Sequence, residues 1–231
     1  FVFDGTRLAC AEMLRAGVTC FKDMYFFPEA AVQAVLASGM RAAVGMIAID
    51  FPTAYASDAD DYLAKGLALR DDYNPHPLLS FCFAPHAPFT VSDRVFAKIL
   101  TYAEQLDLPI HIHLHETVDE VTSSLKTHGM RPIERMHKLG LLGPNLIAVH
   151  MIHVTAGEIE LMAQLGCTVA HCPSSNLKLA SGFAPAATML GAGMNVGLGT
   201  DGAASNNTLR MFEEMRLAAL DLLTLRGRNL V

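Results

Sequence analysis

The absences in this sequence narrow what the chain can be. No stretch approaches ~18 uninterrupted apolar residues and no basic-plus-apolar leader stands at the front, so neither a spanning helix nor a secretory signal is expected. No lysine/arginine run interrupts a balance of 17 basic and 23 acidic side chains, so neither nucleic acid nor membrane is an expected partner. The net charge of −6 mainly favours solubility. No C-x-x-C pair occurs among the 5 cysteines, Cys10, Cys20, Cys82, Cys167 and Cys172, and several lie in apolar runs where a thiol serves as a small hydrophobe. A disulfide framework is therefore not expected, and a reducing compartment, the cytoplasm, is. Charge is scarce as well, 17% against 52% hydrophobic residues, which is ample for one large core and too apolar for disorder.

What is present is one unit repeated. Short β-branched or apolar runs at 19–24, 41–49, 78–84, 109–114, 146–150, 168–171 and 195–199 read as strands. Between them lie helical patterns at 28–38, 58–73, 92–106, 118–128, 132–139, 155–165 and 185–191, with a first helix at 3–15 and a last at 208–225. This alternation is the signature of βαβ units and a parallel sheet. Thr155 with Glu158 fits a capping box, and Gly140, Gly166 and Gly193 fall between a helix and the next strand, where a turn calls for glycine. No Ser/Gly linker or charge block interrupts the series, so residues 1–231 read as a single domain.

Parallel strands in this number suit either a closed barrel or an open doubly wound sheet. The lack of G-x-G-x-x-G after the first strand weighs against a dinucleotide fold. The expected class is α/β: a (β/α)8 TIM barrel of roughly 250 residues in its complete form, with strands 2–8 present here. The chain opens at Phe1 inside an amphipathic pattern and closes at Val231 inside a helix-like one, so both ends are expected to be cut.

A regularity closes the strands. Asp23, Asp50 and His86 end the first three, followed by His113 with Glu116, then His150, His171 and Asp201. In a barrel, C-terminal strand ends surround one pocket, where such enzymes place their chemistry. A lone histidine in an apolar strand is ordinarily a satisfied core residue. Period two, however, puts His111, His113 and His115 in one row, and imidazoles so arranged need partners for their ring nitrogens. A metal or polar pocket accounts for at least one of them. Spacing favours His113, because Glu116 lies just past the strand end and can reach the same centre. Asp201, between Gly199 and Gly202, fits either a strand-mouth carboxylate or a turn residue serving its own loop. His150 is equally open, and His171 reads better as a structural or supporting group. Asp23, Asp50 and His153 stay unassigned.

The segments from His111 to Thr117, from Ala170 to Phe183 and from Gly197 to Asn207 resemble the amidohydrolase superfamily. More narrowly, they resemble its 5-methylthioadenosine/S-adenosylhomocysteine deaminases and the related triazine hydrolases. The stretch from Phe21 to Pro28 and the turn from Phe83 to Pro88 fit the same deaminases, so the likeness runs through essentially the whole chain.

This resemblance implies that His113 is the metal-binding histidine of the fifth barrel strand, and that Asp201 binds the metal, acts as base and touches substrate. It makes Glu116 the acid/base on the purine ring, His150 the residue orienting the attacking hydroxide or the tetrahedral centre, and His86 a substrate contact. The cofactor implied is one divalent ion, Zn²⁺ in preference to Fe²⁺. Two further histidine ligands are expected upstream of Phe1, and the β-sandwich that both termini build in the family has no counterpart here. The expected activity is deamination of a small nucleoside, S-adenosylhomocysteine, methylthioadenosine or adenosine, to the inosine analogue and ammonia. Hydrolysis of a triazine or guanine ring at the same centre is one alternative, and a catalytically silent ligand-binding barrel another. Assembly into a homo-oligomer is left open.

Overall fold

A computed structural model of the protein describes residues 1–227, with side chains through 221, and residues 228–231 lie outside that set. Seven parallel strands follow one another in sequence order, each leading into helical structure. The chain divides into two compact units, Phe1–Ile112 and His113–Val231.

In the first unit α1 (Val2–Arg15) precedes β1 (Cys20–Asp23), α2 (Pro28–Ser38), β2 (Arg41–Ala48), α3 (Ala59–Tyr73), β3 (Leu79–Pro85) and α4 (Asp93–Leu106), and β4 (Ile110–Leu114) begins. The boundaries have local causes. Pro28 opens α2 with its fixed φ, and Gly39 closes it at a φ of 67°. The Asp58 side chain caps α3 by accepting the Asp61 N–H at 2.9 Å. β2 and β3 are buried along almost their whole length, as strands covered on both faces must be. They pair in register from Ala42↔Leu79 to Ala48↔Pro85.

Glycine in the middle of β2 answers a close approach. A Cβ on Gly45 would stand 2.3 Å from the Asp23 carbonyl oxygen and 2.9 Å from the Ala84 Cβ.

The second unit carries the end of β4, then α5 (Val118–His128), α6 (Pro132–Lys138), β5 (Leu146–His150), α7 (Ala156–Gln164) and β6 (Thr168–His171). After these come α8 (Pro173–Lys178), α9 (Ala186–Gly191), β7 (Asn195–Leu198), α10 (Ala203–Asn206) and α11 (Met211–Gly227). The capping box at Thr155 and Glu158 forms as expected, and Gly140, Gly166 and Gly193 all adopt positive φ. β5 pairs with β6 and β6 with β7, setting His171 beside Leu198. The short helices α8 and α10 are not among the helices that the sequence pattern marks. Among the described residues, no helix is long and apolar enough to cross a membrane.

Candidate active site

The strand ends of the second unit collect the polar residues singled out above. His113 projects from β4, and its ring stacks on that of His150 at a centroid distance of 5.5 Å and an interplanar angle of 22°. His150 ends β5 at a φ of 74°, a conformation a bulky side chain rarely adopts, and Asp201 follows β7 at a φ of 57°. Backbone strain of this kind gathers at functional sites, where surrounding structure holds it in place. His150 Nε2 stands 3.7 Å from Glu116 Oε2. Asp201 and His150 are held by adjacent residues, Ser175 and Asn176, at 2.6 and 2.8 Å. His113, Glu116, His150 and Asp201 are thus neighbours.

The Asp201 carboxylate is tightly fastened. Oδ2 accepts from Ser175 Oγ at 2.6 Å and Oδ1 from the Gly202 N–H at 2.7 Å. Burial alone would raise this group, but those hydrogen bonds outweigh it and keep the carboxyl below its ordinary value. Asp201 is therefore ionised near neutrality and ready to accept a proton or bind a cation.

Glu116 is aimed by a residue the sequence reading missed. The buried Glu120 carboxylate accepts the His115 and Glu116 N–H groups, both at 2.8 Å, while Thr117 Oγ1 accepts the Glu120 N–H at 3.1 Å. Thr117-x-x-Glu120 matches the capping-box pattern, and that signal could have found it. Burial pushes Glu120 up to about 7, against the pull of those N–H groups.

A carboxyl raised on folding binds more protons in the folded than in the unfolded chain. Its protonated form supports the fold fully below 4.5, and that support is lost as pH rises toward about 7. The loss over that window is about 3 kcal/mol at one pKa unit per 1.36 kcal/mol. Urea unfolding at both ends of the window should show Glu120→Gln relatively more stable at the upper end by that order, and parallel pH curves would refute it.

His115 does not stay in the row that period two suggests. β4 ends at Leu114, and His115 turns away at a φ of 55° and becomes fully buried. Its Nδ1 donates to the His153 carbonyl at 2.8 Å and its Nε2 accepts the Ile133 N–H at 3.1 Å. Both ring nitrogens are used within the fold, so His115 has none left for a ligand. His153 is likewise engaged, with Nε2 donating to the Ser181 carbonyl at 2.8 Å.

His171 is 2% exposed. Burial pushes its imidazole down to about 4, so the ring is neutral. In the first unit, His86 follows β3, with Nδ1 3.1 Å from Thr90 Oγ1 and its ring edge-on to Phe89. Asp50 accepts the Ser92 N–H and so ties its loop to the start of α4. At Asp23, burial pushes the carboxyl up.

The metal expected from the resemblance can be tested against these donors. One imidazole and one ionised carboxylate are ligands that Zn²⁺ accepts, so His113 and Asp201 fit in kind. Among the described residues no group of three or more His, Cys, Asp or Glu is disposed to hold an ion, so the described residues do not by themselves assemble a full shell.

A parallel β/α sheet of seven strands in sequence order defines the class: strands 2–8 of a (β/α)8 barrel. The chain belongs to the amidohydrolase family, which it matches over residues 1–229. It is 53% identical over 220 residues to a 5-methylthioadenosine/S-adenosylhomocysteine deaminase of Teredinibacter turnerae, covering 95% of this chain and 50% of that protein. An adenosine deaminase from Xanthomonas campestris, solved with bound zinc, superposes with a TM-score of 0.95 at 50% identity, over 98% of this chain and 52% of its own. A triazine hydrolase variant superposes with a TM-score of 0.87 at 25% identity, over 94% of this chain and 52% of its own. The chain thus spans about half the length of the curated relatives it matches.

Proposed function

We propose that this chain supplies much of the catalytic centre of a hydrolytic nucleoside deaminase acting on S-adenosylhomocysteine, 5-methylthioadenosine or adenosine. The observation that carries this is the approach of Glu116 to within 3.7 Å of His150 Nε2, with His150 stacked on His113. The names borne by relatives at about half identity support it.

In this reading Asp201 takes the proton of the attacking water, and its ionised state at neutral pH suits that task. Glu116 carries a proton to the ring nitrogen beside C6 of adenine, so negative charge does not build on the purine as the oxygen adds. Asp201 then passes its proton to the amine, the C6–N bond breaks, ammonia leaves, and the hydroxyl proton returns to Glu116. His150 orients the attacking oxygen. His86 is proposed as a substrate contact. His113 and Asp201 would hold one divalent ion, Zn²⁺ in preference to Fe²⁺, whose Lewis acidity brings the pKa of water toward ~7. Both units, on this reading, belong to one barrel domain. The five free thiols favour a reducing compartment, the cytoplasm.

A second reading, hydrolysis of a triazine or guanine ring at the same centre, draws on the likeness to triazine hydrolase. The test uses the whole protein as the cell makes it, purified with zinc. Loss of adenosine-type absorbance with equimolar ammonia is expected from S-adenosylhomocysteine or methylthioadenosine. Turnover of triazine or guanine alone would favour the second reading. Metal-loaded protein inert toward every one of these rings would sink both and favour a silent binding barrel.

A further inference from the structure

We propose that Asn176 is a positioning residue that holds His150 as its Nδ1–H tautomer and so presents Nε2 as a bare acceptor on the side of Glu116. The catalytic consequence rests on the deaminase reading; the tautomer itself does not. His150 is 1% exposed, and the hydrogen bond at its ring runs from Nδ1 to Asn176 Oδ1 at 2.8 Å. An amide oxygen only accepts, so in the neutral ring the proton sits on Nδ1 and the Nε2 lone pair faces Glu116, whose Oε2 is 3.7 Å away.

The amide is well placed for this. Asn176 is 2% exposed, and its backbone is fixed at both groups. Its N–H donates to the Cys172 carbonyl at 3.0 Å, and its carbonyl accepts the Ser181 N–H at 2.9 Å. Among the described residues the buried Nδ2 atom has no hydrogen-bond partner, so the contact to His150 orients the amide. Ser175, the preceding residue and itself fully buried, does the corresponding service for Asp201 through its 2.6 Å hydrogen bond. One turn of α8 thus addresses two strand-end side chains, at β5 and β7.

That turn is itself held. α8 has no side-chain cap, but the buried Glu214 carboxylate of α11 accepts the Ser174 N–H at 3.1 Å and the Asn206 amide at 2.8 Å. For the reaction, a bare Nε2 accepts the O–H of the attacking water and turns an oxygen lone pair toward the ring carbon. A ring protonated at Nε2 would instead donate to that oxygen and occupy the lone pair.

The test reads the tautomer directly. Two-bond ¹H–¹⁵N spectra of the whole protein, with the His150 signals identified by their loss in His150→Gln, should show Nδ1–H in the native protein. They should show it again in Asn176→Asp, which keeps the acceptor oxygen, and a lost or mixed preference in Asn176→Leu. In steady-state assays Asn176→Leu should lower kcat by about 10–100-fold with KM nearly unchanged, and Asn176→Asp should restore most of it. An Nε2–H ring in the native protein overturns the proposal, as does an Asn176→Leu variant with unaltered tautomer and kcat. If Asn176→Leu fails to fold, the native and Asn176→Asp spectra still decide. An inactive native protein with the Nδ1–H ring would defeat the deaminase reading while leaving the tautomer assignment intact.

Discussion

Glu116→Gln in the whole protein is expected to lower kcat for the nucleoside by ~10²–10⁴, the range that positioned proton transfer contributes, with bound metal unchanged. Glutamine fills the same volume and keeps one acceptor oxygen, but it cannot carry a proton to a ring nitrogen. Glu116 is partly exposed, with a side-chain exposure of 25%, and its backbone N–H is held by Glu120, so the substitution leaves the loop in place. Metal content should stay constant because the proposed ligands are His113 and Asp201. A variant with near-native kcat would remove Glu116 from the proton path. One that loses metal along with activity would move Glu116 into the ion's shell.

Gly45→Ala should destabilise the fold by about 3 kcal/mol, at the upper end of what overpacking a well-filled core costs. The methyl would have to occupy space 2.3 Å from the Asp23 carbonyl, where backbone cannot yield as the end of a long side chain can. β1 lies against β2 in register from Cys20↔Arg41 to Asp23↔Val44, so relieving the clash means parting two strands along their ladder. The lost stability should appear as a lower urea midpoint with unaltered slope. An unchanged midpoint would show that β1 can shift away without cost.

The regular part of the fold was legible because its signals are local. The strands expected at 146–150 and 168–171 and the helices at 28–38 and 118–128 appear with those bounds, and most others differ by a residue or two at their caps. Apolar runs, Pro28 at a helix start and the box at Thr155 act within a few residues, so sequence displays them. α8 and α10 were invisible for the opposite reason. They span 6 and 4 residues, too short to show a period, neither has a side-chain cap, and support comes from Glu214, outside both helices.

The candidate site divides along the same line. His113, Glu116, His150 and Asp201 stand at strand ends, a position that can be counted. Their supports cannot be: Ser175 and Asn176 reach Asp201 and His150 across 26 positions each. His115 is the cautionary case, since period two placed it beside His113, but one positive φ turned it into the fold, where two backbone groups claim its ring.

The bond from the Ser174 N–H to Glu214 joins positions 40 residues apart, so it can form only after α11 is made. As the chain emerges from the ribosome, His113, Glu116, His150 and Asp201 are all synthesised before the carboxylate that steadies the α8 turn beneath two of them. Until α11 docks, that turn is a short helix with an unanswered N-terminal donor, and too brief to persist alone. On the proposed reading the centre matures from behind: His150 and Asp201 arrive early, and a helix made after them steadies the turn that holds both.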